Sequence, residues 1–299
     1  MNHVVIGTLA FDSIETPFDR RERAVGGSAT YFAHAASKFG PVGLVGVVGK
    51  DFPRAALADF EARGIDTAGV EHADGESFFW SCRYEADWNT RHTLETRLNV
   101  FAEFDPKIPD EYKGAEFVFL ANAQPRIQMR ALEQMTKPRL VVADTMNLWI
   151  ENDLDDLRAL LGRVDGLVLN DEEARMLSGE ANLVRAAGRI VALGPKFVVL
   201  KKGEHGAFLL GENLRFALPA YPVEHVVDPT GAGDSFAGGF MGYLAHTGSL
   251  DPSSIRAAML YGTVAASYCV EGFSIEELAR HRRSSIDRRF DELRSFVTP

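Results

Sequence analysis

Asp228-Pro229-Thr230-Gly231-Ala232-Gly233-Asp234-Ser235-Phe236-Ala237-Gly238-Gly239-Phe240 reads as a glycine-rich turn running straight into a helix. The helix is expected to begin near Gly233 or Asp234 and to continue through Met241 and Leu244. Its first turn offers unpaired backbone N–H groups and the positive end of the helix dipole, a combination that binds anions, phosphate above all. Asp234 stands at the same spot. A carboxylate beside a bound phosphate is electrostatically awkward, which points to a chemical task. Plain helix capping accounts for an Asp here as well. Capping does not account for the flanking glycines or for Ala237-Gly238-Gly239, small residues that let a helix pack close to its neighbour.

Working outward, the 299 residues allow one large α/β domain or two smaller ones. Hydrophobic content of 46% and charged content of 25% are those of a soluble globular protein. A net charge of −10 without a basic stripe argues against nucleic acid as a partner. Cys82 and Cys269 lie far apart in sequence, with neither disulfide-framework nor metal-ligand spacing, and fit a reducing cytoplasm. No basic leader precedes His3-Val4-Val5-Ile6, and no apolar run is long enough to span a membrane.

After residue 115 buried strands and helices alternate. Apolar runs at 117–120, 140–143, 166–169 and 197–200 predict strands, with helices between them and polar residues just beyond their ends. Asn122, Asp144, Asn147, Asn170 and Glu173 are those strand-end residues, and any one of them could instead cap a helix. Their recurrence suits one ligand-binding edge of a mostly parallel sheet. Lys201 and the turn Lys202-Gly203-Glu204-His205-Gly206 follow the last strand, and a hairpin is expected over 207–217. At the other end of the chain, Val4–Ile6 predicts a buried strand continuing to Ile14, with Asp12 at its carboxyl end. Residues 15–25 read as charged and irregular, and Gly26-Gly27 opens a second helix containing Tyr31 and His34. Residues 77–101 read as a small β-hairpin carrying Trp80, Tyr84 and Trp88, either a lid, a dimer surface or packing against the main sheet. A charged helix is expected over 275–296.

Phosphoryl transfer to a hydroxyl fits an anion-binding turn with an adjacent Asp on such an edge. It calls for stabilised charge on the moving group, a divalent metal and a carboxylate to take the alcohol proton. Glu173 and Asn170 suit hydrated magnesium, which prefers oxygen ligands. Walker, Rossmann, protein-kinase and serine-hydrolase signatures are lacking.

The stretch 228–236 closely resembles the C-terminal signature of the ribokinase-like (PfkB) carbohydrate and nucleoside kinases. Gly26-Gly27, Val48-Gly49-Lys50-Asp51, Asn170-x-x-Glu173 and Lys202-Gly203-x-x-Gly206 follow the family's order, so the resemblance spans nearly the whole chain. It implies a single Rossmann-like ribokinase-fold domain over residues 1–299, a mostly parallel central sheet flanked by helices, with a small β-sheet lid formed by about 12–25 and 70–100. It implies ATP, Mg²⁺ and a possible K⁺. On this resemblance Asp234 is the general base, with Gly231, Ala232 and Gly233 completing the anion hole. Asp12, Gly26, Gly27, Tyr31, Asn122 and Gln124 would bind the acceptor. Asn170, Glu173, Lys201, Gly203 and Gly206 would bind the nucleotide, Glu173 would hold magnesium through water, and Asp228 and Thr230 would lie at a monovalent-cation loop. A homodimer through the lid is compatible with this family pattern.

Four departures bear on specificity. Tyr31 occupies a position where many sugar kinases of the family carry Asn. Pro229 replaces the commoner Thr. Asp144-Thr145-Met146-Asn147-Leu148-Trp149 lacks the family's Arg, and Lys201 stands in place of a small hydroxyl residue. The expectation is therefore an ATP-dependent kinase of a small sugar. The alternatives are a nucleoside kinase, with Tyr31 and the aromatic hairpin against a base, or a non-catalytic ligand-binding relative.

Overall fold

A computed structural model describes residues 1–297. The strands in chain order are β1 (His3–Ile6), β2 (Ala10–Glu15), β3 (Arg20–Gly26), β4 (Val42–Val48), β5 (Ile65–His72), β6 (Phe78–Tyr84), β7 (Arg91–Arg97), β8 (Phe117–Leu120), β9 (Leu140–Asp144), β10 (Gly166–Asn170), β11 (Phe197–Lys201), β12 (Ala207–Gly211) and β13 (Arg215–Leu218). They form a nine-stranded sheet of order β13-β12-β11-β10-β9-β8-β1-β4-β5 and a four-stranded sheet of order β3-β2-β6-β7. From β11 to β5 the large sheet is parallel, and β12 and β13 extend it as an antiparallel hairpin.

The central strands read as continuous apolar runs because both of their faces are covered, as in doubly wound sheets. Alternate side chains serve opposite cores. Val5 and Phe119 join one buried cluster with Phe32, Phe240 and Met259. Val4, Ile6, Val118 and Leu120 join the other, with Ile127, Leu157, Ala174 and Ile190. Helices Ser28–Ala36, Ala232–Thr247 and Pro252–Cys269 supply the first layer, and helices Pro125–Glu133, Leu154–Leu161, Asp171–Ser178 and Leu183–Val191 supply the second.

Several expectations are corrected. The expected single strand from Val4 to Ile14 is two strands in different sheets, divided at 7–9, because every residue through the division is buried and the apolar run carries no break signal. Asp12 therefore sits in the small sheet. The charged stretch after residue 15 is strand β3, polar because its first residues are exposed. Ile65–His72 is a strand of the large sheet, paired parallel with β4. The small sheet spans Ala10–Gly26 and Phe78–Arg97, with β2 and β6 parallel at its centre. The expected C-terminal helix is broken into Glu276–Arg280 and Arg283–Val297.

Candidate active site

Helix Ala232–Thr247 starts one residue earlier than its spacing predicts, because Gly231 takes the left-handed conformation at the N-cap, with φ of 76°. A side chain there would be strained by that φ, and its Cβ would overlap the Tyr31 ring. The helix can lie where it does because its small residues allow close approach. A Cβ on Gly239 would fall 2.6 Å from the Tyr261 carbonyl oxygen, and one on Gly238 would meet the Phe32 carbonyl oxygen. At the first turn, the Ala232 N–H donates to the Pro229 carbonyl at 3.2 Å, so this amide turns back into the loop. Among the described residues, the Gly233 and Asp234 amides have no carbonyl partner, as the helix start requires.

A cavity of about 940 Å³ opens at this turn, along the carboxyl ends of the parallel strands and beneath the small sheet. It brings together Asp12, Gly27, Tyr31, Asn122, Asn170, Glu173, Lys201, Gly203, Gly206, Thr230 and residues 231–234. Gln124, Gly26 and Asp228 lie outside its lining. The Gln124 amide donates to Asp153 at 3.3 Å, joining two helices. Gly26 acts through its lack of a side chain, since a Cβ there would overlap the Asp12 carboxylate.

Lys201 reaches from the end of β11 to the helix start. A Cβ on Gly233 would lie 2.6 Å from its ammonium nitrogen, and Asp144 Oδ2 stands 4.0 Å from that nitrogen. Burial opposes the Lys201 charge, but Asp144, Glu173 and Asp234 outweigh it and raise its pKa. Glu173 and Asn170 form a capping box. The Asn170 amide donates to Glu173 Oε2 at 2.7 Å, and the Glu173 amide donates to Asn170 Oδ1 at 2.8 Å. Burial, opposed by Lys201, pushes Glu173 up to about 7. Asp234 is held well above the usual carboxylate range by burial and then by Asp144, against the pull of Lys201. Asp12 and Glu173 push it the same way, so Asp234 feels charges from both ends of the cleft.

The far end is organised by Asp12, which is buried and pushed up to about 7 by desolvation and then by Asp228. The Tyr31 hydroxyl donates to Asp12 Oδ2 at 3.5 Å, and the Tyr31 ring is fully buried against Gly231. Tyr31 thus ties the acidic end to the glycine turn. Beyond it the wall is made by Phe78, Trp80, Asn122, Met146 and Trp149. The Trp149 indole donates to Asn122 Oδ1 at 2.9 Å, which sets the Asn122 amide orientation and leaves its NH₂ beside Met146. Overhead, the turn joining β6 and β7 comes down on the opposite loop, where a Cβ on Gly203 would lie 2.8 Å from Asn89 Oδ1. Below the turn, Asp228 is fully buried. Its Oδ1 accepts from the Thr230 amide at 2.8 Å, and its Oδ2 has no partner.

Sequence reasoning leaves several of these residues unassigned. Asp144 carries a signal, a polar residue at a strand end, but its pairing with Lys201 depends on two strands separated by β10. Trp149, Arg91 and Tyr221 also line the cleft and carry no local pattern. His34 is packed in the core, with Nδ1 2.9 Å from the Thr30 carbonyl oxygen.

The family model described as pfkB family carbohydrate kinase matches residues 4–277. The chain is 33% identical to a cytidine kinase of Thermococcus kodakarensis over 244 residues, covering 80% of this chain and 86% of that protein. Its fold matches a Burkholderia thailandensis nucleoside kinase solved with inosine, with a TM-score of 0.77 and 20% identity over 97% of this chain and 98% of that one. It also matches a putative ribokinase II from E. coli solved with ATP and Mg²⁺, with a TM-score of 0.78 and 19% identity over 98% of this chain and 100% of that one. The nine-stranded parallel-dominated sheet, the small sheet over its edge and the glycine turn at 228–236 are thus those of a known kind of enzyme, and the chain belongs to the pfkB family of carbohydrate kinases, phosphotransferases that act on a hydroxyl group.

Proposed function

We propose that the protein transfers the γ-phosphate of ATP to a hydroxyl of a small sugar bound between Asp12, Gly27 and the anion-binding turn. The observation that carries this is the position of Asp234, on the turn that presents free amides and Lys201 to a phosphate, and within the field of Asp12 on the opposite side. In the reaction the acceptor oxygen bonds to the γ-phosphorus, the bond from phosphorus to the leaving ADP oxygen breaks, and the hydroxyl proton passes to Asp234. Asp234 takes the proton in its ionised form, which the neighbouring Lys201 ammonium favours. Gly233 and Asp234 amides and the Lys201 ammonium stabilise the charge on the transferring group. Lys201 stands in for the positive charge absent from the 144–149 motif.

Two metal sites fit the residues present. Glu173 commits one carboxylate oxygen to its cap and has another to offer, a hard donor suited to hydrated magnesium. Magnesium, when bound, neutralises phosphate charge. The partnerless, buried Asp228 Oδ2 beside Thr230 suits a monovalent cation such as K⁺. We further propose that the four-stranded sheet acts as a lid, and that the exposed face of β7, with Leu94 at 53% exposure, pairs with a second copy. The free, buried thiols of Cys82 and Cys269 accord with the cytoplasm.

The second reading, a nucleoside as acceptor, is favoured by the wall beyond Asp12. Phe78, Trp80 and Trp149 offer aromatic surface, Asn122 offers a fixed amide, and the Thermococcus relative is a cytidine kinase. Incubating the purified protein with Mg-ATP and a panel of sugars and nucleosides decides between them. ADP release with at least one acceptor is expected, and the acceptor that gives the highest kcat/KM names the class. Stoichiometric ligand binding without ADP release from any of them would instead identify a non-catalytic relative.

A further inference from the structure

The family match ends at residue 277, yet the chain continues into helix Arg283–Val297, which is docked by the fully buried Ile286 and Leu293. This helix grips a residue of the cleft. Tyr221 lies in the irregular segment 219–230 and lines the end of the cavity past Gly203 and Gly206, together with Ala220, Val223, Ala266 and Ser267. Its hydroxyl donates to Glu292 Oε2 at 2.9 Å, and its ring sits 6.1 Å from that of Phe296. Arg289 ties the arrangement together. Its guanidinium carbon lies 4.6 Å from the Tyr221 ring centre and 3.5 Å from that of Tyr268. The same guanidinium donates to Ser267 Oγ at 3.0 Å and forks onto Glu271 at 2.8 and 3.3 Å. Only 15% of the side chain is exposed, so these contacts are desolvated.

We propose that the C-terminal helix builds the wall that receives the base of the nucleotide, with Tyr221 touching the base and Arg289 acting as the positioning residue that holds Tyr221 and Ser267 in place. This rests on reading the cleft as an ATP site with its phosphates at Lys201 and residues 231–234. A flat, largely apolar end with one aromatic face and one hydroxyl suits a heteroaromatic ring. Val227 and Asp228 are tied to the Val270 carbonyl, but Tyr221 lies earlier in the irregular segment and takes its hydroxyl and ring contacts from the C-terminal helix, so without that helix its side chain would be ordered only on binding. That cost would be drawn from affinity.

The test uses the full chain and a non-hydrolysable β,γ-imido analogue of ATP, titrated into the parent and the Tyr221→Ala, Arg289→Ala and Arg289→Lys variants, with steady-state kinetics alongside. Tyr221→Ala and Arg289→Ala are expected to weaken the analogue about three- to tenfold, the cost of ordering one or two side chains. In Arg289→Ala the KM for ATP should rise by the same factor, with the acceptor KM at saturating ATP changed less than twofold. Arg289→Lys should recover part of the loss. Unchanged analogue affinity in Tyr221→Ala, or KM values for both substrates rising together in Arg289→Ala, overturns the proposal. Should Arg289→Ala fail to fold, Tyr221→Ala decides, because a half-buried residue of an irregular loop can be truncated without opening the core. A parent protein that binds no analogue sinks the ATP reading itself, whereas a parent that binds it while the variants bind equally well sinks only the role of the helix.

Discussion

The N-terminus of helix Ala232–Thr247 and strand β2 both line the cleft, but they are held in place by opposite means. The helix start is fixed by backbone packed against backbone, with Gly238 against the Phe32 carbonyl and Gly239 against the Tyr261 carbonyl. Strands β2 and β3 belong to a four-stranded sheet whose outer strands are largely exposed, and Asp12 is oriented by a side chain, Tyr31. The end proposed for the chemistry is therefore over-determined by the core, while the end proposed for the acceptor depends on a few side chains on a thin sheet. Exchange of side chains at the second can alter what is bound without disturbing the first. The departure at Tyr31 lies where the two meet, since its hydroxyl reaches Asp12 and its ring covers Gly231.

That contrast can be broken at three points. Asp234→Asn removes the proton acceptor and leaves the helix in place. It is expected to lower kcat by roughly 10²–10⁴-fold, the usual loss with a general base, with binding of an ATP analogue largely retained. Full activity in the variant would remove Asp234 from the mechanism. Gly231→Ala attacks the rigid end by placing a Cβ at φ of 76° and against the Tyr31 ring. A loss of about 2–4 kcal/mol of unfolding free energy is expected from the strain and the overlap together. The Tyr31→Asn change in the same protein should return part of it in urea unfolding. Equal losses with and without the Tyr31 ring would show that the two are not in contact.

The third point concerns pH and the softer end. Asp12 has a folded pKa of about 7, raised by burial and then by Asp228, against an ordinary value of 3.8. A carboxyl raised on folding adds stability that is complete below the unfolded pKa and is lost as pH rises through the folded one. Unfolding free energy should therefore fall between about pH 4 and pH 7. Asp12 contributes about 1.4 kcal/mol per pH unit across that window. Glu173, at about 7, and Asp228, at about 6, both raised first by burial, act in the same direction. Asp12→Asn should remove one group's share of the slope and raise stability above pH 7. Parallel slopes for variant and parent in urea titrations would show that Asp12 is not buried in solution.

The parallel half of the fold is legible in the sequence for a physical reason. Strands such as Phe117–Leu120 and Phe197–Lys201 are covered on both faces and stand out as short apolar runs. The same feature hides the division between β1 and β2, where Gly7, Thr8 and Leu9 are as buried as their neighbours. Strand β3 is hidden for the opposite reason, because Arg20–Arg23 are exposed and carry no apolar alternation. At the site, a glycine turn running into a helix can be located from spacing, as at Gly231–Asp234. Pairings across strands cannot, and Lys201 with Asp144 or Tyr31 with Gly231 emerge only once the chain is folded. Gln124, which the resemblance puts at the acceptor, lies outside the cavity lining and donates to Asp153, a pairing between two helix starts that no local pattern announces.

The glycine seam of helix Ala232–Thr247 gives one element two very different lifetimes. The amides of Gly233 and Asp234, without carbonyl partners, border the cleft and are expected to trade their protons with water quickly. From Gly238 onward the helix lies wedged between helices Ser28–Ala36 and Pro252–Cys269, where exchange is expected to wait on the opening of the core. A tightly packed helix thus ends, within two turns, in the unpaired amides proposed above to receive a phosphate. On that proposal a phosphate would meet groups already in position, and little of its binding energy would be consumed in arranging them.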